Sequence, residues 1–115
     1  MGIFVFFPCY NDEHTIGGLV EDAIETLKTI TDDFEVIVIE DHSADNSKKI
    51  LLDLLNKYPK EFRVVFHEKN MGYGGVLRRG FKEASKDLIF YTDGDGQYDV
   101  KELPILYTLM TKDVN

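Results

Sequence analysis

Four short runs, at residues 2–7, 34–39, 62–66 and 88–92, are rich in Val, Ile and Phe and lack the polar alternation of a half-solvated strand. A strand that is apolar on both sides is covered on both sides, as in a parallel sheet. Between these runs the apolar spacing changes to three and four. Ile16, Leu19, Val20, Ala23, Ile24, Leu27 and Ile30 mark one helical face, and Ile50, Leu51, Leu54, Leu55 and Tyr58 mark another. A third helix is expected from about Val76 to Ala84. A last one, ending near Thr111, turns Leu103, Leu106, Tyr107 and Met110 inward. Asn11 or Asp12 is expected to cap the first helix and Asp45 or Asn46 the second, which Pro59 ends. Strands alternating with helices at these lengths predict an α/β fold, a Rossmann-like parallel sheet with helices on both faces. One domain spanning 1–115 suits the length.

In such sheets ligands collect outside the carboxyl ends of the strands. The polar clusters fall there: 8–13 after the first strand, 40–43 after the second and 93–97 after the fourth. In the last of these, Asp93 and Asp95 stand one residue apart between glycines, and their charges repel unless a cation joins them. Mg²⁺ or Mn²⁺ is the simplest candidate, with Gln97 as a neutral oxygen ligand and a diphosphate on the open positions. A solvated Asp-Gly turn is the plain alternative. A second alternative is a calcium loop over Asp93–Glu102, but its first position would be Tyr91, and a strand rather than a helix leads in. Asp41 can accept hydrogen bonds from a base or ribose, or belong to a helix-capping network. Tyr10 offers a ring face for stacking on a base, or simply packs at the sheet edge. Asp12 is a base contact or a helix cap. The glycine-rich stretch Asn70-Met71-Gly72-Tyr73-Gly74-Gly75 opens a helix, so amides around Gly72 can form an anion nest. Arg78 can neutralise phosphate there, whereas Arg79 reads as part of a solvated helix face. No Gly-Lys-Ser/Thr follows, so this is not a P-loop.

Charge narrows the partners. A formal net charge of -8 argues against nucleic acid, and it requires a local cation beside any bound phosphate. The single cysteine, Cys9, forms no internal disulfide, which points to a reducing, cytoplasmic setting. No apolar run approaches the roughly 20 residues of a spanning helix. Cys9 has no evident His partner, and His14, His42 and His67 lack metal-ligand spacing and suit surface or capping roles. No residue stands out as a general base.

Four segments, in order, resemble the nucleotide-binding half of family 2 glycosyltransferases of the GT-A fold. Pro8-Cys9-Tyr10-Asn11-Asp12 is similar to P-x-Y-N-E, and Val38–Asp45 to V-D-D-G-S-x-D. Asn70–Gly80 is similar to N-x-G-x-G-x-A-x-x-x-G. Asp93–Gln97 is similar to the D-x-D-x-Q of the polyprenyl-phosphate branch, which includes dolichol-phosphate mannose synthases. Asp12 stands in place of Glu, Glu40 of the first Asp, His42 of Gly and Val76 of Ala. The resemblance implies inverting transfer of a sugar from a UDP- or GDP-sugar to an acceptor such as a polyprenyl phosphate. It implies that Pro8, Tyr10, Asp12 and Asp41 contact the nucleoside, that Asp93 lies by the ribose, diphosphate or metal, and that Asp95 and Gln97 hold the metal. It places the catalytic base, the acceptor site and any membrane contact beyond residue 115, so this chain is expected to bind donor without a base of its own. A nucleotidyltransferase of the same fold is the rival enzyme, though no Arg/Lys-bearing glycine loop follows the first strand. Association through an exposed edge is open to a chain of this kind.

Overall fold

The computed structural model describes residues 2–84 and 88–91. It contains β1 (Ile3–Cys9), α1 (Ile16–Lys28), β2 (Phe34–Glu40), α2 (Ser47–Lys57), β3 (Phe62–Phe66), α3 (Gly72–Glu83) and β4 (Leu88–Tyr91). The four strands form one parallel sheet in the order β3-β2-β1-β4. The expected helix near the end of the chain and the 93–97 loop lie outside the described residues.

Strand pleating separates the core into two layers. Ile3, Val5, Phe7 and Cys9 of β1, with Val36 and Val38 of β2, pack under α1 and α2. Phe4 and Phe6, with Ile37, Ile39 and Val65, pack under α3 through Val76 and Leu77. This is why β1 and β2 read as unbroken apolar runs. Full burial of each Phe or Ile side chain contributes about 1.5–3 kcal/mol. The face read for α1 is the buried one: Ile16, Leu19, Val20, Ala23, Ile24 and Leu27 all point inward. In α2, Leu51 and Leu54 are buried, as is Tyr58 just beyond it, while Ile50 and Leu55 are partly covered.

β2 and β3 are laid down successively on one side of β1, with α1 and α2 on one face. β4 then returns to the other side of β1, with α3 on the opposite face. The strand order therefore switches direction between β1 and β4, the place where open α/β sheets bind ligands.

Three local expectations are corrected. Pro8 does not open the polar cluster after the first strand; it is buried inside β1, opposite Ile39. Thr15, rather than Asn11 or Asp12, occupies the cap position of α1, and the Asp12 carbonyl accepts from the Thr15 and Ile16 amides at 3.1 and 2.9 Å. Finally, α3 starts at Gly72, about a turn before Val76, so the glycine-rich stretch is helical. The cause is a capping group from elsewhere in the chain, described below.

α3 lies close to the sheet at Gly80. A Cβ built there would overlap the ring of Phe6. That ring is stacked on Tyr91 at 5.3 Å and meets Phe81 edge-on at 5.4 Å.

Candidate functional site

The loops after β1 and β2 are tied to each other by side chain–backbone hydrogen bonds. The Asn11 amide donates to Ser43 Oγ at 2.9 Å, and Asn11 Oδ1 accepts from the Ala44 amide at 2.8 Å. The Asp12 amide donates to Ser47 Oγ, and the Glu13 amide donates to Asp45 Oδ2, both at 3.1 Å. Asp45 Oδ1 accepts from the Ser47 amide at 2.9 Å, so Asp45 serves the start of α2 as expected. Burial pushes the Asp45 carboxyl up, but hydrogen bonds from Ser47 and the Glu13 amide prevail and hold it below its ordinary value.

Glu40 is fully buried, and its carboxylate accepts from the amides of His42 (3.2 Å) and Ser43 (2.6 Å). These bonds fold the β2 loop back on its own strand end. His42 consequently has a φ of 64°. This is the left-handed conformation that the glycine of the resembled motif adopts freely, and it costs a side-chain-bearing residue on the order of 1 kcal/mol.

Asp41 connects the site to α3. It is 3% exposed, and both of its carboxylate oxygens are engaged. Oδ1 accepts from the Met71 amide at 2.8 Å and from His67 Nδ1 at 2.9 Å; Oδ2 accepts from the Gly72 amide at 3.1 Å. Asn70 closes the turn, taking a second bond from the Gly72 amide on its Oδ1 at 3.0 Å. The anion at the start of α3 is thus the chain's own carboxylate, which satisfies unpaired amides and complements the helix dipole. Asp41 acts as a cap, though of α3 rather than of the helix that follows it in sequence. His67, read as a surface or capping residue, is instead held against Asp41 with its side chain 9% exposed. Its only sequence signal is its place directly after β3.

The remaining candidates fall into two groups, Tyr10 and Asp12 after β1 and the two arginines on α3. Tyr10 is 51% exposed at the end of β1, and its amide donates to Asp12 Oδ2 at 3.2 Å. Its ring is therefore open to a stacking partner. Asp12 lies half-buried beside it. Arg79 pairs with Glu83 at 3.3 Å on the outer surface of α3, in keeping with a solvated face. Glu83 also takes a 2.6 Å bond from Arg63, and that guanidinium is the main reason its carboxyl sits below the ordinary value. Arg78 lies beside Phe66, His67 and Lys69 in a groove that includes neither Tyr10 nor Asp12. Asp93, Asp95 and Gln97, the expected metal ligands, lie outside the described residues. Among the described residues no three His, Cys, Asp or Glu side chains gather in a way that could hold a metal.

Cys9 is 1% exposed, and burial pushes its thiol up to about 12. A thiol so placed is almost wholly protonated near neutrality. Iodoacetamide at pH 8 is expected to leave the folded chain unlabelled and to modify Cys9 promptly in denaturant. Rapid labelling of the folded chain, followed by mass spectrometry, would contradict the buried placement.

The undecaprenyl-phosphate 4-deoxy-4-formamido-L-arabinose transferase of Proteus mirabilis (strain HI4320) is 31% identical over 104 residues, covering 90% of this chain and 32% of the relative. The enzyme of the same name from Yersinia enterocolitica is 29% identical over 107 residues, covering 93% of this chain and 33% of the relative. The chain thus spans about a third of the length of these curated relatives. Among solved structures, S. aureus TarS 1-349 in complex with UDP superposes with a TM-score of 0.77 at 24% identity, over 97% of this chain and 32% of that one. The Pyrobaculum calidifontis mannosyltransferase PcManGT, in complex with GDP-Man and Mn2+, gives 0.74 at 20% identity, over 87% and 29%. At these identities the structural likeness establishes the fold, which is the GT-A arrangement expected from the sequence. The family model described as "Glycosyl transferase family 2" matches residues 4–115, nearly the whole chain, and the chain belongs to that family.

Proposed function

We propose that this chain is the donor-binding part of an inverting glycosyltransferase. It takes a UDP- or GDP-sugar with Mg²⁺ or Mn²⁺ and serves transfer to an acceptor such as a polyprenyl phosphate. The observation that carries this reading is the gathering of Tyr10, Asp12 and Asp41 at the carboxyl edge of the sheet, next to the switch point, in a chain of this family. Tyr10 stacks on the base and Asp12 accepts from the nucleoside; Asp41 accepts there through Oδ2, which takes one bond from the Gly72 amide where Oδ1 takes two. Pro8 shapes the strand end beneath them. Asp93, Asp95 and Gln97 hold the metal, which when bound supplies Lewis-acid stabilisation of the diphosphate leaving group. The undecaprenyl-phosphate transferases among the relatives support a lipid phosphate acceptor, and the complexes of TarS with UDP and of PcManGT with GDP-Man and Mn2+ support a nucleotide donor with a divalent metal.

Calorimetric titration with UDP and GDP, with and without Mn²⁺, tests the reading. Saturable binding of one nucleotide is expected with metal, with loss of the metal-dependent part in Asp95→Ala. A folded chain that binds neither nucleotide with either metal, or that binds Ca²⁺ tightly on its own, would overturn it.

A further inference from the structure

We propose that the groove between the loop after β3 and the outer flank of α3 is a phosphate-binding site separate from the donor loops. The groove encloses about 780 Å³, and its lining includes Phe66, His67, Lys69, Met71, Arg78 and Lys82. Met71, Arg78 and Lys82 recur at helical spacing, so they emerge on one flank of α3, while Lys69 reaches in from the β3 loop. Arg79, also on this wall, is committed to Glu83. Lys69, Arg78 and Lys82 have no ion-pair partner among the described residues. One carboxylate, Glu68, also lines the groove.

Three cations without an ion-pair partner among the described residues, set against the single carboxylate of Glu68, repel one another on a shared concave surface, and they do so in a chain whose net charge is -8. An anion between them relieves that repulsion. Lys and Arg suit phosphate in particular, Lys as a point charge and Arg through its planar fork. Phe66 and Met71, 40% and 47% exposed, give the groove an apolar surface for whatever carries the phosphate. Tyr10 and Asp12 take no part in the lining, while His67 and Met71, which do, bond to Asp41, so the groove adjoins the nucleoside loops at that one residue and opens away from Tyr10. The chemistry specified is a phosphate mono- or diester with an apolar attachment, either free in solution or in a lipid headgroup.

Two probes distinguish these sources. Inorganic pyrophosphate is titrated calorimetrically in EDTA, so that no metal-dependent site competes. In parallel, the chain is sedimented with phosphatidylglycerol vesicles and with phosphatidylcholine vesicles. Binding of pyrophosphate supports a soluble ligand; binding to anionic but not neutral vesicles supports a headgroup. Replacing both Lys69 and Lys82 by Gln is expected to weaken vesicle binding about 25-fold, at roughly fivefold per charge, and pyrophosphate binding several-fold. Both lysines are surface residues, and unchanged circular dichroism and melting verify the fold. Absence of binding to both probes overturns the proposal, as does undiminished binding by the double variant. Displacement of pyrophosphate by saturating UDP also overturns it, because the groove would then belong to the donor; persistence under UDP supports a separate site.

Discussion

Asp41→Ala is expected to lower the unfolding free energy by about 2–3 kcal/mol and to weaken nucleotide binding as well. The substitution removes an acceptor from the Met71 and Gly72 amides and from His67. Hydrogen bonds to a charged group are each worth about 1.5–3 kcal/mol net, and water partly replaces them at the exposed Met71 and Gly72 amides. Asp41→Asn keeps one carbonyl oxygen but loses the charge at the helix start, so about 1 kcal/mol is expected. Urea denaturation followed by circular dichroism measures both variants, and Asp41→Ala should also lose helical signal from the first turn of α3. Weakened nucleotide binding at unchanged stability would mean that Asp41 touches ligand without holding the helix.

Gly80→Ala carries the second large effect, and its sign is diagnostic. In an exposed helix interior, replacing Gly by Ala stabilises by about 1 kcal/mol. At Gly80 the added methyl overlaps the Phe6 ring, which Tyr91 and Phe81 flank. Overpacking of this kind costs about 1–3 kcal/mol, which outweighs the helical gain. The expected net result is destabilisation by up to about 2 kcal/mol. Gly18→Ala in α1 provides the contrast, because nothing lies within 4 Å of its added Cβ. It is expected to stabilise by a few tenths of a kcal/mol or more. If thermal melts move both variants in the same direction, the close approach of α3 to β1 is wrong. Adding Phe6→Leu to Gly80→Ala should recover part of the loss by making room.

The parts of the chain governed by local periodicity were legible before the structure. The buried face of α1, the two-sided burial of β1 and β2 and the parallel arrangement all follow from spacing alone. What spacing could not show were bonds between distant residues. The early start of α3 at Gly72 depends on Asp41, which comes from another loop and leaves no local signal. The glycines there lower helix propensity, so a reading by propensity places the helix too late. His67 was underrated for the same reason, since its partner is distant in sequence. Pro8 follows the apolar run 2–7 and so reads as the start of the loop after the first strand, whereas β1 continues through it to Cys9. The convergence of the β1 and β2 loops was readable from the βαβ order. Their mutual hydrogen bonds were not, because each pairs residues more than thirty positions apart.

The switch in strand order between β1 and β4 also bears on how the chain is made. Translation delivers β1 first, and β2 can zip onto it once α1 has emerged. The other edge of β1 pairs through Ile3 with Leu88, so it waits until nearly all of the described chain has left the ribosome. During that interval an apolar strand with Phe4, Phe6 and Phe7 in it presents one unpaired side. Pairings between such distant segments form slowly, and open strand edges invite association with other nascent chains. The strand that ends up most protected in the finished sheet is therefore the one longest at risk while it is being built.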